Sequence, residues 1–430
     1  MEISSNVKKT IVVVFRILLG CVFVFSGYVK AVDPLGSTYK FQDYLAAMGL
    51  DFLAPLALVA GVLLAALEFL LGVCLLLGAN IKSTSILTFL LMCFMTPLTL
   101  WIAIADPVSD CGCFGDALVI SNWATFWKNV VLIVMAFVVM KWHEHSPKLF
   151  SQRTEWIIAI ASGAYSILIS IYCYFNLPIV DFRPYKNGTN IPESMEVPEG
   201  APVDEYETTF IFENGDGQRK KVSMEEYSSV DTAVWKFVDS ESVLTKKGYE
   251  PPIHDFTLEH PEDGDITEDV VTNPGYTFLL VSYRVEGAST MKRKEINAIY
   301  DYARNNGYGF YCFTATGLET TEMREYKVEM GGVEYPIVNT DEITLKTIVR
   351  SNPGLVLIKD GVIINKWSNK NMPSFDEPLE NSPRGEVQTP NDMRVILLSS
   401  LFFLGVLVAL FALDKIVSLI VDRFVNLQKK

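Results

Sequence analysis

The sequence has no long cluster of lysine and arginine, and together with its negative net charge this argues against nucleic acid as a partner. Contacts to phosphates require such clusters, whereas this chain has a net charge of −14. The charge is also unevenly distributed. Residues 177–392 contain 21 Lys/Arg and 38 Asp/Glu, while the rest of the chain is mildly basic. The chain therefore combines an acidic, water-soluble part with an apolar part.

Long stretches outside the acidic part are almost free of charge, and six of them are long enough to cross a membrane. A spanning helix needs about 20 mainly apolar residues. Arg16 lies in the first stretch and Glu68 in the second, and Lys128 interrupts the fourth. The sequence predicts an all-α membrane bundle with the lipid bilayer as its main partner. Its six spans are 11–28, 52–79, 83–105, 122–140, 156–180 and 395–413.

The Lys/Arg content of the short loops predicts the orientation of these spans. Cytoplasmic loops carry an excess of Lys and Arg, whereas the loop at 106–123 has three aspartates and neither basic residue. Both termini are therefore expected in the cytoplasm, and residues 181–390 on the outer side of the cytoplasmic membrane. The basic residues assigned to the cytoplasmic side are Lys8, Lys9, Lys82, Lys141, Lys148, Arg153, Arg423, Lys429 and Lys430.

The acidic part is predicted to be an α/β domain. Residues 248–390 alternate strand and helix patterns in the order βαβα…αββ, which is typical of a mixed α/β sandwich. Residues 206–224 indicate a β-hairpin around an Asn-Gly-Asp-Gly turn, and 181–204 are expected to be a linker with little structure. The chain is thus predicted to have five regions. Residues 1–145 form a four-helix membrane domain, 146–180 the fifth spanning helix, and 181–247 a linker and β-hairpin region. Residues 248–390 form the α/β domain, and 391–430 the sixth spanning helix with a cytoplasmic tail.

Two segments of this domain resemble thioredoxin-like proteins. Residues 248–258, Gly-Tyr-Glu-Pro-Pro-Ile-His-Asp-Phe-Thr-Leu, are similar to the start of peroxiredoxin-like and thiol-disulfide-oxidoreductase-like domains, and 352–362 to their closing hairpin. The resemblance implies a cis Pro353 beside the usual active-site groove. Residues 284–290, where such domains have Cys-x-x-Cys, contain no cysteine, and Cys312 lies within a predicted strand. We therefore expect this domain to be redox-inactive.

The first 145 residues resemble the DoxX/MauE superfamily of four-span membrane proteins. Three segments resemble the first-helix signature of this superfamily: Arg16-Ile-Leu-Leu-Gly20, Phe25-Ser-Gly27 and Lys30-Ala-Val-Asp-Pro34. A fourth, Glu68-Phe-Leu-Leu-Gly72, resembles its second helix. Asp110-Cys-Gly-Cys-Phe-Gly-Asp116 points to the MauE-like branch associated with thiol redox chemistry. The overall layout also resembles membrane proteins of Bacteroidetes, in which the outer side is the periplasm.

Cys111 and Cys113 are the candidate redox pair. Neighbouring cysteines in an oxidising compartment tend to form or exchange a disulfide, and a strained short ring is easily reduced. The flanking Asp110 and Asp116 are expected to oppose a thiolate. A structural disulfide and thiols without a role are alternatives, as is a metal site, for which two thiolates without a nearby histidine are a poor set.

Arg16 and Glu68 are the candidate intramembrane polar site, because ionisable groups in lipid are costly and usually paired or functional. We expect either an ion pair between them near the cytoplasmic side, or a proton or ligand site beneath the cysteines. The leading hypothesis is dithiol–disulfide exchange between a periplasmic thiol protein and a membrane carrier, with a quinone as the candidate cofactor. The alternative is a non-enzymatic scaffold that binds partners.

Overall fold

The computed structural model describes residues 4–428, apart from 109, 216, 225, 233, 247, 333–334 and 389–391. The helices are α1 Ser5–Val32, α2 Pro34–Ala47, α3 Ala57–Leu77, α4 Ile81–Ala105, α5 Asn122–Lys141, α6 Gln152–Asn176, α7 Ile191–Met195, α8 Thr267–Val271, α9 Arg293–Asn306, α10 Thr321–Glu329, α11 Glu342–Ile348 and α12 Asp392–Gln428. The strands are β1 Glu205–Asn214, β2 Arg219–Ser223, β3 Trp235–Lys246, β4 Glu259–His260, β5 Gly264–Asp265, β6 Tyr276–Val281, β7 Gly309–Thr314, β8 Ile337–Asn339, β9 Gly354–Lys359 and β10 Val362–Ser368.

Within the part of the chain that the structure describes, six helices are long and apolar enough to cross a membrane, which confirms the predicted spans. They are α1, α3 with the short turn before it, α4, α5, α6 and α12. Glycines let α1 and α3 approach closely: a Cβ on Gly27 would lie 2.4 Å from the Phe69 nitrogen, and one on Gly72 would lie 2.5 Å from the Val24 nitrogen. Small residues at such contacts are how helices pack in lipid, where burial from water does not drive their association.

The helix α2, between the first two spans, was not predicted from the sequence. Asp33 caps its first turn by accepting a hydrogen bond from the Gly36 nitrogen at 2.9 Å, and Pro34 occupies the first helical position. Both residue types are favoured there. The helix is only weakly amphipathic, with charged and aromatic residues mixed along it, and its side chains lie above the cysteines.

The acidic part contains the predicted α/β domain. Its sheet has the order β10-β9-β6-β7-β8-β4-β5, in which β6, β7 and β8 are parallel and β9 runs antiparallel to β6 and β10. All six residues of β6 are buried because helices or connecting segments cover both faces of the sheet. The Asn352–Pro353 peptide bond before β9 is cis.

Two expectations for residues 181–247 were incomplete or wrong. The predicted hairpin is present as β1 and β2, although Asp216 of its turn lies outside the described residues, and β3 adds a third strand in the order β2-β1-β3. The segment 181–204 is not a linker with little structure, since it contains α7 and buries Tyr185 and Ile191 in the core of the α/β domain. Isolated apolar residues among Pro, Glu and Asn conceal this packing in the sequence.

Candidate functional site: a buried cysteine pair

The two cysteines lie in the segment between α4 and α5, which we call the cysteine loop (residues 106–121). Gly112 and Gly115 have positive φ values of 58° and 50°, a conformation that glycine adopts without the steric cost of a side chain. Cys111 and Cys113 are both free thiols and only 8% exposed, packed against Ile102. Their sulfur atoms are 2.9 Å apart, and their action as a redox pair stays a prediction.

The pair is asymmetric in acidity. The pKa of Cys111 is lowered to about 6, first because it hydrogen-bonds with the Cys113 thiol, and also because of the Thr125 hydroxyl 3.4 Å away; burial opposes this shift. The pKa of Cys113 is raised well above its ordinary value by the same thiol–thiolate contact and by burial. The nearby ammonium of Lys128 favours the thiolate form of both. At neutral pH the arrangement therefore favours a Cys111 thiolate beside a Cys113 thiol.

The loop is anchored to the helices through its backbone carbonyl groups. The Lys30 ammonium donates hydrogen bonds to the Cys113 carbonyl oxygen at 2.8 Å and to Glu68 Oε2 at 2.7 Å. Ser26 Oγ lies 2.7 Å from the same carbonyl and 2.8 Å from Glu68. Tyr44 of α2 donates a hydrogen bond to the Cys111 carbonyl. A buried charge pair thus lies directly beneath the cysteines, at the end of the first span.

The predicted ion pair between Arg16 and Glu68 is wrong. Glu68 pairs with Lys30, and both side chains are almost fully buried. Arg16 instead donates to the Ser146 hydroxyl at 2.8 Å and to the Pro147 carbonyl at 3.1 Å. Glu68 also lies at the cysteine-loop end of the bundle rather than at the opposite end. The alternative expectation, a proton or ligand site beneath the cysteines, stays a prediction.

Asp110 and Asp116, which were expected to oppose a thiolate, each form an ion pair that offsets their negative charge. Lys40 of α2 donates to Asp110 at 2.6 Å. Arg350 of the α/β domain contacts Asp116 Oδ2 at 2.8 Å and Asp33 Oδ2 at 2.9 Å. Among the described residues, no three His, Cys, Asp or Glu side chains converge on a point where a metal ion would bind.

Arg350 connects the α/β domain to the membrane bundle. Its side chain is 7% exposed and also donates to the Lys346 carbonyl at 2.6 Å. Burial alone would lower its pKa, but the carboxylates of Asp33 and Asp116 outweigh burial, so its pKa is raised above the ordinary value. Around it lies a cavity of about 650 Å³ between α2, the cysteine loop and α11. Pro353 follows Arg350 by three residues, but it is not among the residues that line this cavity.

Four polar residues of the site were not singled out as functional from the sequence: Lys30, Lys40, Tyr44 and Arg350. Lys30 is two residues beyond the predicted end of the first span, whereas α1 continues to Val32 and buries it. Lys40 and Tyr44 lie on the unpredicted α2. Arg350 is 234 residues away from Asp116 along the chain, and no local pattern connects them.

Comparisons with known proteins match parts of the chain. The family described as methylamine utilisation protein MauE matches residues 8–141, and a domain of unknown function, DUF8463, matches residues 206–247. No curated protein and no solved structure matches the chain. The MauE match covers α1 to α5, which contain the cysteine loop and the residues that anchor it. The chain is therefore a multi-pass membrane protein whose first four spans form a MauE-like region.

Proposed function

We propose that the chain is a membrane thiol–disulfide oxidoreductase in which Cys111 and Cys113 pass electrons between an extracytoplasmic thiol protein and a membrane carrier. The observation that carries this proposal is the 2.9 Å approach of two free sulfur atoms, one of them with a pKa lowered to about 6. Thiolates are the nucleophiles of disulfide exchange. A cysteine that served only in packing would need neither a second thiol at this distance nor a lowered pKa.

The exchange step follows from the asymmetry of the pair. The Cys111 thiolate attacks a disulfide of the partner protein, and the sulfur that it displaces leaves as a thiolate. Cys113 then loses its proton and attacks Sγ of Cys111, which forms the Cys111–Cys113 disulfide and releases the partner as a dithiol. The reverse sequence oxidises the partner, so the direction depends on which species has the higher reduction potential.

The α/β domain, which we interpret as thioredoxin-like without its own Cys-x-x-Cys, is proposed to position that partner. Arg350 holds the domain over the cysteine loop, and the cavity of about 650 Å³ lies where the two parts meet. The cavity is lined by side chains of both charge signs, including Lys40, Asp43 and Lys346. This lining suits an extended polar segment of a partner protein.

The proposed location is the cytoplasmic membrane, with both termini in the cytoplasm and residues 181–390 in the periplasm. The excess of Lys and Arg in the loops assigned to the cytoplasm supports this orientation. An impermeant maleimide should label Lys82→Cys only after the cells are opened, in a background without other reactive thiols. Labelling of position 82 in sealed cells would reverse the orientation.

Cellular thiol trapping tests the redox proposal. Acid-quenched alkylation should find Cys111 and Cys113 as a mixture of dithiol and disulfide that changes with growth conditions. Either single serine variant should accumulate a reducible adduct with a partner protein, because the remaining thiol cannot be resolved by its neighbour, and the double variant should not. Full biological function of Cys111→Ser/Cys113→Ser at normal abundance would refute the proposal.

A scaffold role is the second candidate, and the Arg350–Asp116 contact favours it specifically. Through this contact the cysteine loop helps to hold the α/β domain, whatever the oxidation state of its sulfurs. A disulfide that only braced so short a loop would add at most about 2–3 kcal/mol of stability. In that case the phenotype of the double variant would follow protein abundance, and overexpression would restore function.

A further inference from the structure

The cysteine pair lies beside a second space. Cys111, Gly112 and Cys113 line an apolar chamber of about 220 Å³ that lies between α3 and α4 beneath α2. The larger cavity below the α/β domain is lined by Gly112 and Gly115. Gly112 lines both, so the pair lies between the cavity below the α/β domain and a chamber inside the bundle.

The lining of the chamber is predominantly apolar. It includes Phe41 from α2, Leu64 from α3, and Phe94 and Leu98 from α4. The Phe94 side chain is 67% exposed, so it lies on the outer surface of the helix bundle. That surface contacts lipid in a membrane protein. A molecule dissolved in the bilayer could therefore reach the chamber between α3 and α4 without passing through water.

Polar side chains also line the chamber beside the cysteines. They are Lys30, which donates to the Cys113 carbonyl, Tyr44, which donates to the Cys111 carbonyl, and Lys40. The Lys40 ammonium has three N–H donors, and its described hydrogen bond to Asp110 uses one of them. The chamber is smaller than the roughly 300–1,000 Å³ of pockets that enclose whole drug-sized ligands. It fits one substituted ring with a polar edge, with any long tail lying outside between the helices.

We propose that this chamber binds the ring of a membrane quinone and that the quinone accepts electrons directly from Cys111 and Cys113. This inference rests on the proposed redox function and assigns its membrane carrier and the binding site. A quinone is an apolar ring with carbonyl oxygens that accept hydrogen bonds, which matches a mainly apolar lining that includes the Lys40 side chain. It also takes up two electrons, the number that a dithiol releases on forming a disulfide.

The reaction balances with these components alone. The Cys111 thiolate and the Cys113 thiol form one S–S bond, and the S–H bond of Cys113 breaks. The two electrons pass to the quinone, which becomes a quinol after taking the Cys113 proton and one proton from water. The dithiol is oxidised and the quinone is reduced. The disulfide then returns to the dithiol by oxidising a dithiol of the partner protein, which is the reverse direction of the exchange proposed above.

Two neighbouring leucines of α3 provide a matched test. Leu64 lines the chamber, whereas Leu63 is 57% exposed on the outer surface and is not part of the lining. The full chain, reduced and placed in lipid nanodiscs, is mixed with a decyl-substituted benzoquinone, and disulfide formation is followed by acid-quenched alkylation. Leu64→Trp should slow this oxidation at least tenfold, and Leu63→Trp should change it less than twofold. Both variants should react normally with diamide, a water-soluble oxidant.

Equal rates in the two variants would overturn the inference. A second measurement does not depend on either variant: an azido-quinone photolabel on the unaltered chain should mark peptides of α3 and α4. Labelling spread evenly over the six spans would also refute the site. If the pair cycles in cells but the photolabel misses the chamber, only this inference fails. If the double serine variant retains full function, the proposed redox function fails even where the photolabel marks the chamber.

Discussion

Replacing Arg350 by alanine should detach the α/β domain from the cysteine loop. The substitution leaves the carboxylates of Asp33 and Asp116 without their cation in a largely buried contact. Removing one partner of a buried ion pair costs about 3–5 kcal/mol. We use the lower end of this range, about 3 kcal/mol, because the Asp116 side chain is 38% exposed and water can partly solvate its charge. A loss of about 3 kcal/mol corresponds to a roughly hundredfold larger population of the detached state.

Hydrogen exchange of α2 measures this population. Asp33 both caps α2 and receives Arg350, so detachment should loosen the first turn of α2. Backbone amides of this helix should then exchange up to roughly a hundredfold faster in Arg350→Ala, provided that exchange proceeds through the detached state. The free energy of folding of the α/β domain itself should change little, because the Arg350 side chain is not part of the apolar core on either side of the sheet.

The control is Arg284→Ala in the same domain. Arg284 is 60% exposed and pairs with Glu342 at 2.6 Å, and such exposed pairs contribute only about 0.2–1 kcal/mol. Adding Asp116→Asn to Arg350→Ala should recover part of the loss, since it removes one of the unpaired charges. Identical exchange of α2 in Arg350→Ala and Arg284→Ala would refute the assigned role of Arg350.

Two further predictions concern the cysteine pair and the packing of the first spans. The rate of iodoacetamide alkylation of Cys111, measured by mass spectrometry, should rise with pH around a midpoint near 6. The Cys113 thiol is the main stabiliser of the Cys111 thiolate, so Cys113→Ala should move this midpoint towards the ordinary value of 9. An unchanged midpoint would contradict this. Gly27→Ala should lower the free energy of unfolding of the purified protein by about 1–3 kcal/mol, because the added methyl meets the backbone of α3. Gly405→Ala, with open space around the new methyl, should change it little, and equal effects would argue against close packing of α1 on α3.

The sequence was sufficient to predict the six spans and the α/β order, because both depend on patterns within short windows. Length and lack of charge identify a span, and a short, continuous apolar run identifies the buried strand β6. The end of α1 was less predictable. Hydropathy falls at Lys30, whereas the helix continues and buries that lysine against Glu68.

The electrostatics of the site could not be predicted because its charges come from distant parts of the chain. Asp110 and Asp116 have the same sign in the sequence, which indicated repulsion of a thiolate. Their cations come from α2 and from residue 350. The main cause of the lowered Cys111 pKa, the neighbouring Cys113 thiol, was visible in the sequence as close spacing, whereas the contributions of Thr125 and Lys128 depend on how α5 packs beside the loop.

The anchoring of the cysteine loop has a consequence for how freely its chemistry can change. Lys30, Ser26 and Tyr44 hold the carbonyl oxygens of residues 111 and 113 and not their sulfur atoms. Carbonyl oxygens are common to all amino acids, so these contacts are indifferent to the side chain at either position. The same hydrogen bonds could hold the backbone in place with serine, alanine or a covalently modified cysteine at either position. A sulfur atom of the loop can thus gain and lose bonds while the backbone stays hydrogen-bonded to α1 and α2.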